Sequence, residues 1–159
     1  MHASHSFARI DTTMAQCYLS YYRSADPWIN MTISFEKPRI LIVDDSSDIR
    51  DLIKSFYEEY DLELIEAVNG QEAVEMVRTC PPDLILLDIQ MPVLNGYEVA
   101  AILKNDEAVQ DIPILVITGQ ERWEVEEQIE GMYDGYVSKP FKEVDLIKAT
   151  MQCLPGIIN

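Results

Sequence analysis

Five side chains in this sequence have the types needed to handle a phosphoryl group: Asp44, Asp45, Asp88, Thr118 and Lys139. Each stands at the end of an expected strand. Carboxylates held close together repel one another, which favours their protonated forms. A hard divalent cation removes that cost, and Mg²⁺, with its octahedral oxygen shell and retained waters, suits a partial set of two or three carboxylates and a carbonyl. A carboxylate can itself attack phosphorus and form an aspartyl phosphate. Such a transfer needs positioning and charge neutralisation more than it needs a base. Lys139 and the Thr118 hydroxyl are the groups that would hold the remaining phosphoryl oxygens. Taken singly, each piece has a plainer reading. An Asp-Asp pair after a strand often only caps a helix, a strand-end aspartate or threonine is often structural, and a lysine before a proline means little. The weight lies in their conjunction and order.

The elements that would position these groups are legible from periodicity. Leu84-Ile85-Leu86-Leu87 is a continuous apolar run ending at Asp88. A strand with one face in water would alternate, so this one is buried on both faces, as in a parallel sheet covered by helices. Arg39-Ile40-Leu41-Ile42-Val43 is a similar run ending in Asp44-Asp45. Ser46, Ser47 and Asp48 are N-cap candidates for a helix whose apolar residues are Ile49, Leu52, Ile53 and Phe56. A second strand is expected over 62–68 and a turn at Asn69-Gly70, with a helix over 71–78 that Pro81-Pro82 stops. After the central strand, Asn95-Gly96 turns into a helix over 97–104. A fourth strand covers 112–117 and runs into Thr118-Gly119. An acidic helix over 120–132 has Val125, Ile129 and Met132 as its inner face. A short strand over 136–138 leads to Lys139-Pro140, and the last helix spans 143–154. Five strands alternating with five helices give a doubly wound parallel α/β sheet, in which ligands bind beyond the carboxyl ends of the strands. All five candidate groups fall on that edge.

The bulk properties agree. The 159 residues suffice for one domain with a full core, and 48% hydrophobic with 25% charged residues is ordinary for a globular chain. No apolar run reaches the ~20 residues of a membrane span, and the polar start, with His2 and His5, is no signal peptide. Cys17, Cys80 and Cys153 are odd in number and scattered, which suits reduced thiols in a cytoplasm. Residues 1–30 balance Arg9 and Arg23 against Asp11 and Asp26, so the rest of the chain holds the whole net charge of −16. That charge disfavours DNA and anionic membranes and suits cations or basic protein surfaces; simple solubility explains it equally well. Residues 1–36 read as an N-terminal extension, either disordered or carrying one short helix, with Ile10, Met14, Cys17, Tyr18 and Tyr21 on one face and Asp26-Pro27 as its stop. Met31 is a second candidate start. Residues 37–159 read as the domain proper.

With these motifs in place, the sequence resembles the CheY-like receiver domain of bacterial two-component response regulators. The matching segments are Ile42-Val43-Asp44-Asp45, Leu86-Leu87-Asp88-Ile89-Gln90-Met91-Pro92, Asn95-Gly96, Val116-Ile117-Thr118-Gly119 and Tyr136-Val137-Ser138-Lys139-Pro140-Phe141. The resemblance implies a flavodoxin-like fold and a stand-alone phosphorelay switch. It makes Asp88 the acceptor of a phosphoryl group from a histidine kinase or phosphotransfer protein. It makes Asp45 a direct Mg²⁺ ligand, with Asp44 assisting through water and Asp88 and the Gln90 carbonyl completing the set. Thr118 would move toward the phosphoryl group, Lys139 would pair with it, Tyr136 would turn inward, and the Lys139-Pro140 bond would be cis. Residues 120–154 would carry the surface read by a downstream protein, and Gln90 and Gln120 would tune phosphoryl lifetime. Such a protein assists its own phosphorylation but is not an enzyme in the turnover sense. The stretch 131–139 is one residue longer than the usual pattern, which leaves the end of the fourth helix open. Trp123 and Tyr133 are either partner anchors or buried residues.

Three other readings fit less well. An adaptor of the same fold that works without phosphorylation would be expected to lack an acidic residue or the lysine, and all are present. An aspartyl-nucleophile phosphatase would carry a second Asp where Gln90 stands. A dinucleotide-binding oxidoreductase needs a glycine-rich turn after the first strand, where this chain has Asp44-Asp45-Ser46-Ser47.

Overall fold

The computed structural model describes residues 37–156. The amphipathic stretch expected between Ile10 and Tyr21, the Asp26-Pro27 stop and the alternative start at Met31 lie outside the described residues. The described chain alternates strand and helix throughout: β1 (Arg39–Val43), α1 (Ser47–Phe56), β2 (Glu63–Ala67), α2 (Gly70–Thr79), β3 (Leu84–Leu87), α3 (Gly96–Lys104), β4 (Ile114–Thr118), α4 (Arg122–Ile129), β5 (Gly135–Ser138) and α5 (Glu143–Cys153). The strands form one sheet in the order β2-β1-β3-β4-β5, and every pairing is parallel. This is the expected doubly wound sheet.

The apolar runs explain why the sheet is covered on both faces. Successive side chains of a strand point to opposite faces. Leu41 and Val43 of β1, Ile85 and Leu87 of β3, and Ile114 and Val116 of β4 all enter one core. There they meet Ala73, Val74 and Val77 of α2, Val99, Ala100 and Leu103 of α3, and Val125 and Ile129 of α4. The intervening residues, Ile40, Ile42, Leu84, Leu86, Leu115 and Ile117, enter a second core with Ile53 of α1 and Leu146 of α5. A run without alternation is thus two interleaved alternations, one for each helical layer. Buried Tyr57 ties the layer of α1 and α5 together, its hydroxyl lying 2.6 Å from the equally buried Thr150 hydroxyl. Burial pushes the Tyr57 phenol well above its usual range.

The helix starts are set by side chains. Ser46, of the three candidates, caps α1 by accepting from the Ile49 N–H. Asn69-Gly70, expected to turn, starts a helix instead, and Asn95-Gly96 leads into a helix as expected. Asn69 and Asn95 accept from the N–H groups of Glu72 and Glu98, and each glycine is the first helical residue. A Cβ on Gly70 would sit 2.3 Å from the Leu94 carbonyl oxygen, so that glycine serves close approach rather than an unusual dihedral.

Three further expectations need correction. Leu52 is 41% exposed, because Ile49, Ile53 and Phe56 take the inner stripe of α1 and leave it at the rim. The fourth strand starts at Ile114 and includes Thr118, since Pro113 has no N–H to give the ladder. The fourth helix is Arg122–Ile129 rather than 120–132. It begins late because Glu121 is its N-cap and Gln120 is engaged elsewhere, and it ends early at Gly131, whose φ is +75°. The residues after it form a turn fixed by Asp134, whose carboxylate accepts from the Ile114 N–H at 2.8 Å and from Lys104 at 3.3 Å. Met132 and Tyr133 still pack on the core from that turn, whereas Trp123 is 63% exposed.

Candidate functional site

The backbone ladder runs one residue past the strands and fixes the acidic groups. The Asp44 N–H donates to the Ala67 carbonyl, and the Asp88 N–H donates to the Val43 carbonyl at 2.9 Å. The two aspartates therefore stand side by side at the ends of β1 and β3. This is where the strand order reverses, with β2 on one side and β3 on the other, and crevices in open α/β sheets form at that point. Asp45, one residue on, is exposed. One oxygen from each of Asp44, Asp45 and Asp88 lies within 4.8 Å of the others.

Lys139 completes the cluster from β5. Its backbone N–H donates to the Thr118 carbonyl at 2.8 Å, which continues the β4–β5 pairing and brings the side chain over the site. The ammonium donates to Asp44 Oδ2 at 2.6 Å and lies 3.4 Å from Asp88 Oδ2. Asp44 is 2% exposed and Asp88 5%. Burial pushes the Asp88 carboxyl above its usual range; the Lys139 charge opposes this, Asp44 reinforces it, and the Gln90 N–H at 3.3 Å opposes it. Asp44 is anchored by the Ser46 N–H on Oδ1 and by the Arg50 guanidinium on its backbone carbonyl, both near 2.9 Å. The sequence alone does not mark Arg50. Its only signal was a place one turn into the helix after Asp44, which many solvated arginines share.

The donor set suits a hard cation. It is all oxygen, three carboxylates are within reach of one another, and the Lys139 ammonium lies between two of them. The fully buried Thr118 lies one strand away and its hydroxyl accepts from the Gln120 N–H at 3.4 Å. Tyr136 is partly buried against the core beneath α2, α3 and α4, and its hydroxyl donates to the Gln120 carbonyl. So the ring is already turned in here. The structure brings Asp44, Asp45, Asp88 and Lys139 into one cluster and places Thr118, Gln120 and Tyr136 in an adjoining hydrogen-bonded group. The Lys139-Pro140 bond between them and α5 is cis, as expected.

Gly96 supports the acceptor loop. A Cβ there would lie 2.4 Å from the Asp88 carbonyl oxygen and 2.7 Å from the Ile89 Cα, both backbone atoms. Gly96→Ala must therefore displace the loop that carries Asp88. It should cost about 1–3 kcal/mol, as overpacking does. A lowered urea midpoint together with amide shifts at 88–90 checks this, and a midpoint equal to wild type would mean the loop gives way freely.

A doubly wound parallel sheet with a carboxylate–lysine cluster at its reversal point defines a narrow class of α/β protein. Over residues 40–151 the chain matches the response regulator receiver domain, and it belongs to that family. It is 35% identical over 116 residues to the chemotaxis protein CheY of Halobacterium salinarum, covering 73% of this chain and 96% of that one. It is 40% identical over 111 residues to the phosphate regulon transcriptional regulatory protein PhoB of Pseudomonas aeruginosa, but spans only 48% of that longer protein. Among solved structures, the chemotaxis protein CheY4 of Vibrio cholerae superposes with a TM-score of 0.70 at 27% identity, over 75% of this chain and the whole of that one. This is a receiver domain of the two-component response regulators.

Proposed function

We propose that this receiver takes a phosphoryl group onto Asp88 from a phosphohistidine of a histidine kinase or phosphotransfer protein, and that the gain biases a protein-binding surface. The observation that carries this reading is the ammonium of Lys139 held between the buried carboxylates of Asp44 and Asp88, with an Asp45 oxygen within 4.8 Å of an oxygen of each. In the transfer, the bond from phosphorus to the Asp88 oxygen forms as the phosphorus–nitrogen bond breaks. The electron pair leaves with the imidazole nitrogen, which then takes up a proton. Asp44, Asp45, Asp88 and the Gln90 carbonyl are the groups that would hold Mg²⁺, which when bound neutralises the carboxylates and the phosphoryl oxygens. Lys139 leaves Asp44 for the new oxygens and the Thr118 hydroxyl turns to another. The added charge, about −1.5 to −2, then favours one arrangement of the loop after β4. The chain is a switch rather than an enzyme, read by a downstream protein through residues 120–154. Its charge opposes DNA, and no helix among the described residues is long and apolar enough to cross a membrane. Cytoplasmic signalling fits this set.

Incubation with acetyl phosphate and Mg²⁺, read by intact mass, tests the proposal. Wild type should gain one phosphoryl group, and a chelator should prevent it. Mg²⁺ alone should raise the melting temperature, since it binds only the folded cluster: about 1.4 kcal/mol at ten times its dissociation constant, or a few degrees. Asp45→Asn should lose most of that rise. No mass gain in wild type would leave a receiver that works by protein binding without phosphorylation.

A further inference from the structure

Gln120 is held from two sides. Its backbone carbonyl accepts from the Tyr136 hydroxyl. Its side-chain carbonyl accepts from the Tyr97 hydroxyl at 2.7 Å. Its N–H, meanwhile, donates to the Thr118 hydroxyl. One residue of the β4–α4 loop thus joins α3, β4 and β5, and Tyr97 is the only one of these tethers that comes from α3. Half-buried Tyr97 follows directly after Gly96, the glycine packed on the Asp88 carbonyl. Its ring lies against the same core as Tyr136. Burial, then the charge of Glu124, raises its phenol above the usual range, so the hydroxyl stays protonated and remains a donor.

We propose that Tyr97 is a positioning residue for the switch: by holding the Gln120 side chain it stabilises the loop arrangement in which Tyr136 is turned in, and so sets how readily the domain reaches its phosphorylated form. The inference rests on the phosphoacceptor reading of Asp88. A loop pinned only by Tyr136 can swing away about that bond. A second bond from another element, on the side chain of the same residue, removes that freedom. Both bonds are satisfied with Tyr136 inward, so both favour that state over any in which Gln120 departs. A ligand that selects the inward state then has less to supply. Removing the Tyr97 hydroxyl while keeping its ring should weaken the bias by about five-fold, the equivalent of one neutral hydrogen bond of about 1 kcal/mol.

The test uses beryllofluoride, a phosphoryl mimic at aspartate, titrated with Mg²⁺ into the full chain. Wild type, Gln120→Leu and Gln120→Glu are compared, each with and without Tyr97→Phe. The readouts are the half-saturating concentration and the NMR signals of a labelled Tyr136 ring. Tyr97→Phe should raise half-saturation about five-fold and move the ring signals toward those of an exposed tyrosine. In the Gln120→Leu background the same change should have no further effect, because the acceptor is gone. Gln120→Glu keeps an acceptor and should keep the dependence on the Tyr97 hydroxyl. An unchanged or lowered half-saturation in Tyr97→Phe overturns the proposal, and so do effects that add in the Gln120→Leu background, since they would mark a role in packing alone. A wild type that ignores beryllofluoride removes the phosphoacceptor reading, and this inference with it. A wild type that responds while Tyr97→Phe matches it removes this inference only.

Discussion

Asp88→Asn is expected to lose the phosphoryl gain from acetyl phosphate entirely while becoming more stable near neutral pH. The first part follows from chemistry. The amide has no anionic oxygen to attack phosphorus, and Asp44 and Asp45 approach the site from another strand. The second part follows from the cost of the native carboxylate. Burial raises the Asp88 pKa, and neighbouring Asp44 adds to the rise; Lys139 and the Gln90 N–H only oppose it. A carboxyl with a raised folded pKa binds protons more readily folded than unfolded, so stability falls as pH rises from the unfolded value, about 3.9, through the folded one. The penalty is full above the folded pKa and absent below the unfolded value. Asn carries no such penalty. The variant should therefore exceed wild type in urea midpoint near neutral pH, with the gap closing toward acid. A midpoint gap that does not change with pH would assign the effect to packing. A mass gain that survives the substitution would move the acceptor to another residue.

The fold could be read from β1, β3 and β4, because each is a run long enough to exclude one-sided burial. The site could be read because parallel strands must align their carboxyl ends, so residues 44 positions apart in sequence, Asp44 and Asp88, become neighbours without any contact being known. What could not be read is which of these groups bond each other. The Lys139–Asp44 pair spans 95 positions, and no local pattern distinguishes a lysine awaiting a ligand from one resting on a carboxylate. The Tyr97–Gln120 bond was hidden for a similar reason: a tyrosine after Asn95-Gly96 looks like an ordinary helix residue until β4 ends beside it. The fourth helix reads too long in sequence because an acidic, weakly patterned stretch has no periodic stop. Its end depends on Gly131 and on the Asp134 carboxylate, whose partners lie on other elements. Asn69-Gly70 reads as a turn because that pair favours one, whereas Asn95-Gly96 leads into a helix. Here the asparagines cap helices, and the glycines yield space to the Leu94 and Asp88 carbonyls.

Lys139→Met should destabilise the fold without Mg²⁺ and make it depend on Mg²⁺ more strongly than wild type. The ammonium contacts two carboxylates that are themselves almost wholly buried, at 2.6 and 3.4 Å, although its own side chain is 21% exposed. Removing one partner of a fully buried pair costs about 3–5 kcal/mol because the other charge is left uncompensated. Water at the exposed lysine lowers this to about 2 kcal/mol. Without the lysine the folded pKa of Asp88 rises further, so the loss should be full above that pKa and fade as pH falls toward ordinary carboxylate values. Mg²⁺ supplies the missing positive charge and no longer competes with a cation bonded to Asp44. Added Mg²⁺ should therefore close most of the gap to wild type in melting temperature, with a lower half-effective concentration in the variant. Equal Mg²⁺ responses in the two proteins would show that Lys139 and the metal do not share Asp44. Acetyl phosphate labelling separates the roles further. Methionine keeps the volume and offers no charge to the transferred oxygens, so the variant should hold Mg²⁺ well and still gain the phosphoryl group slowly or not at all.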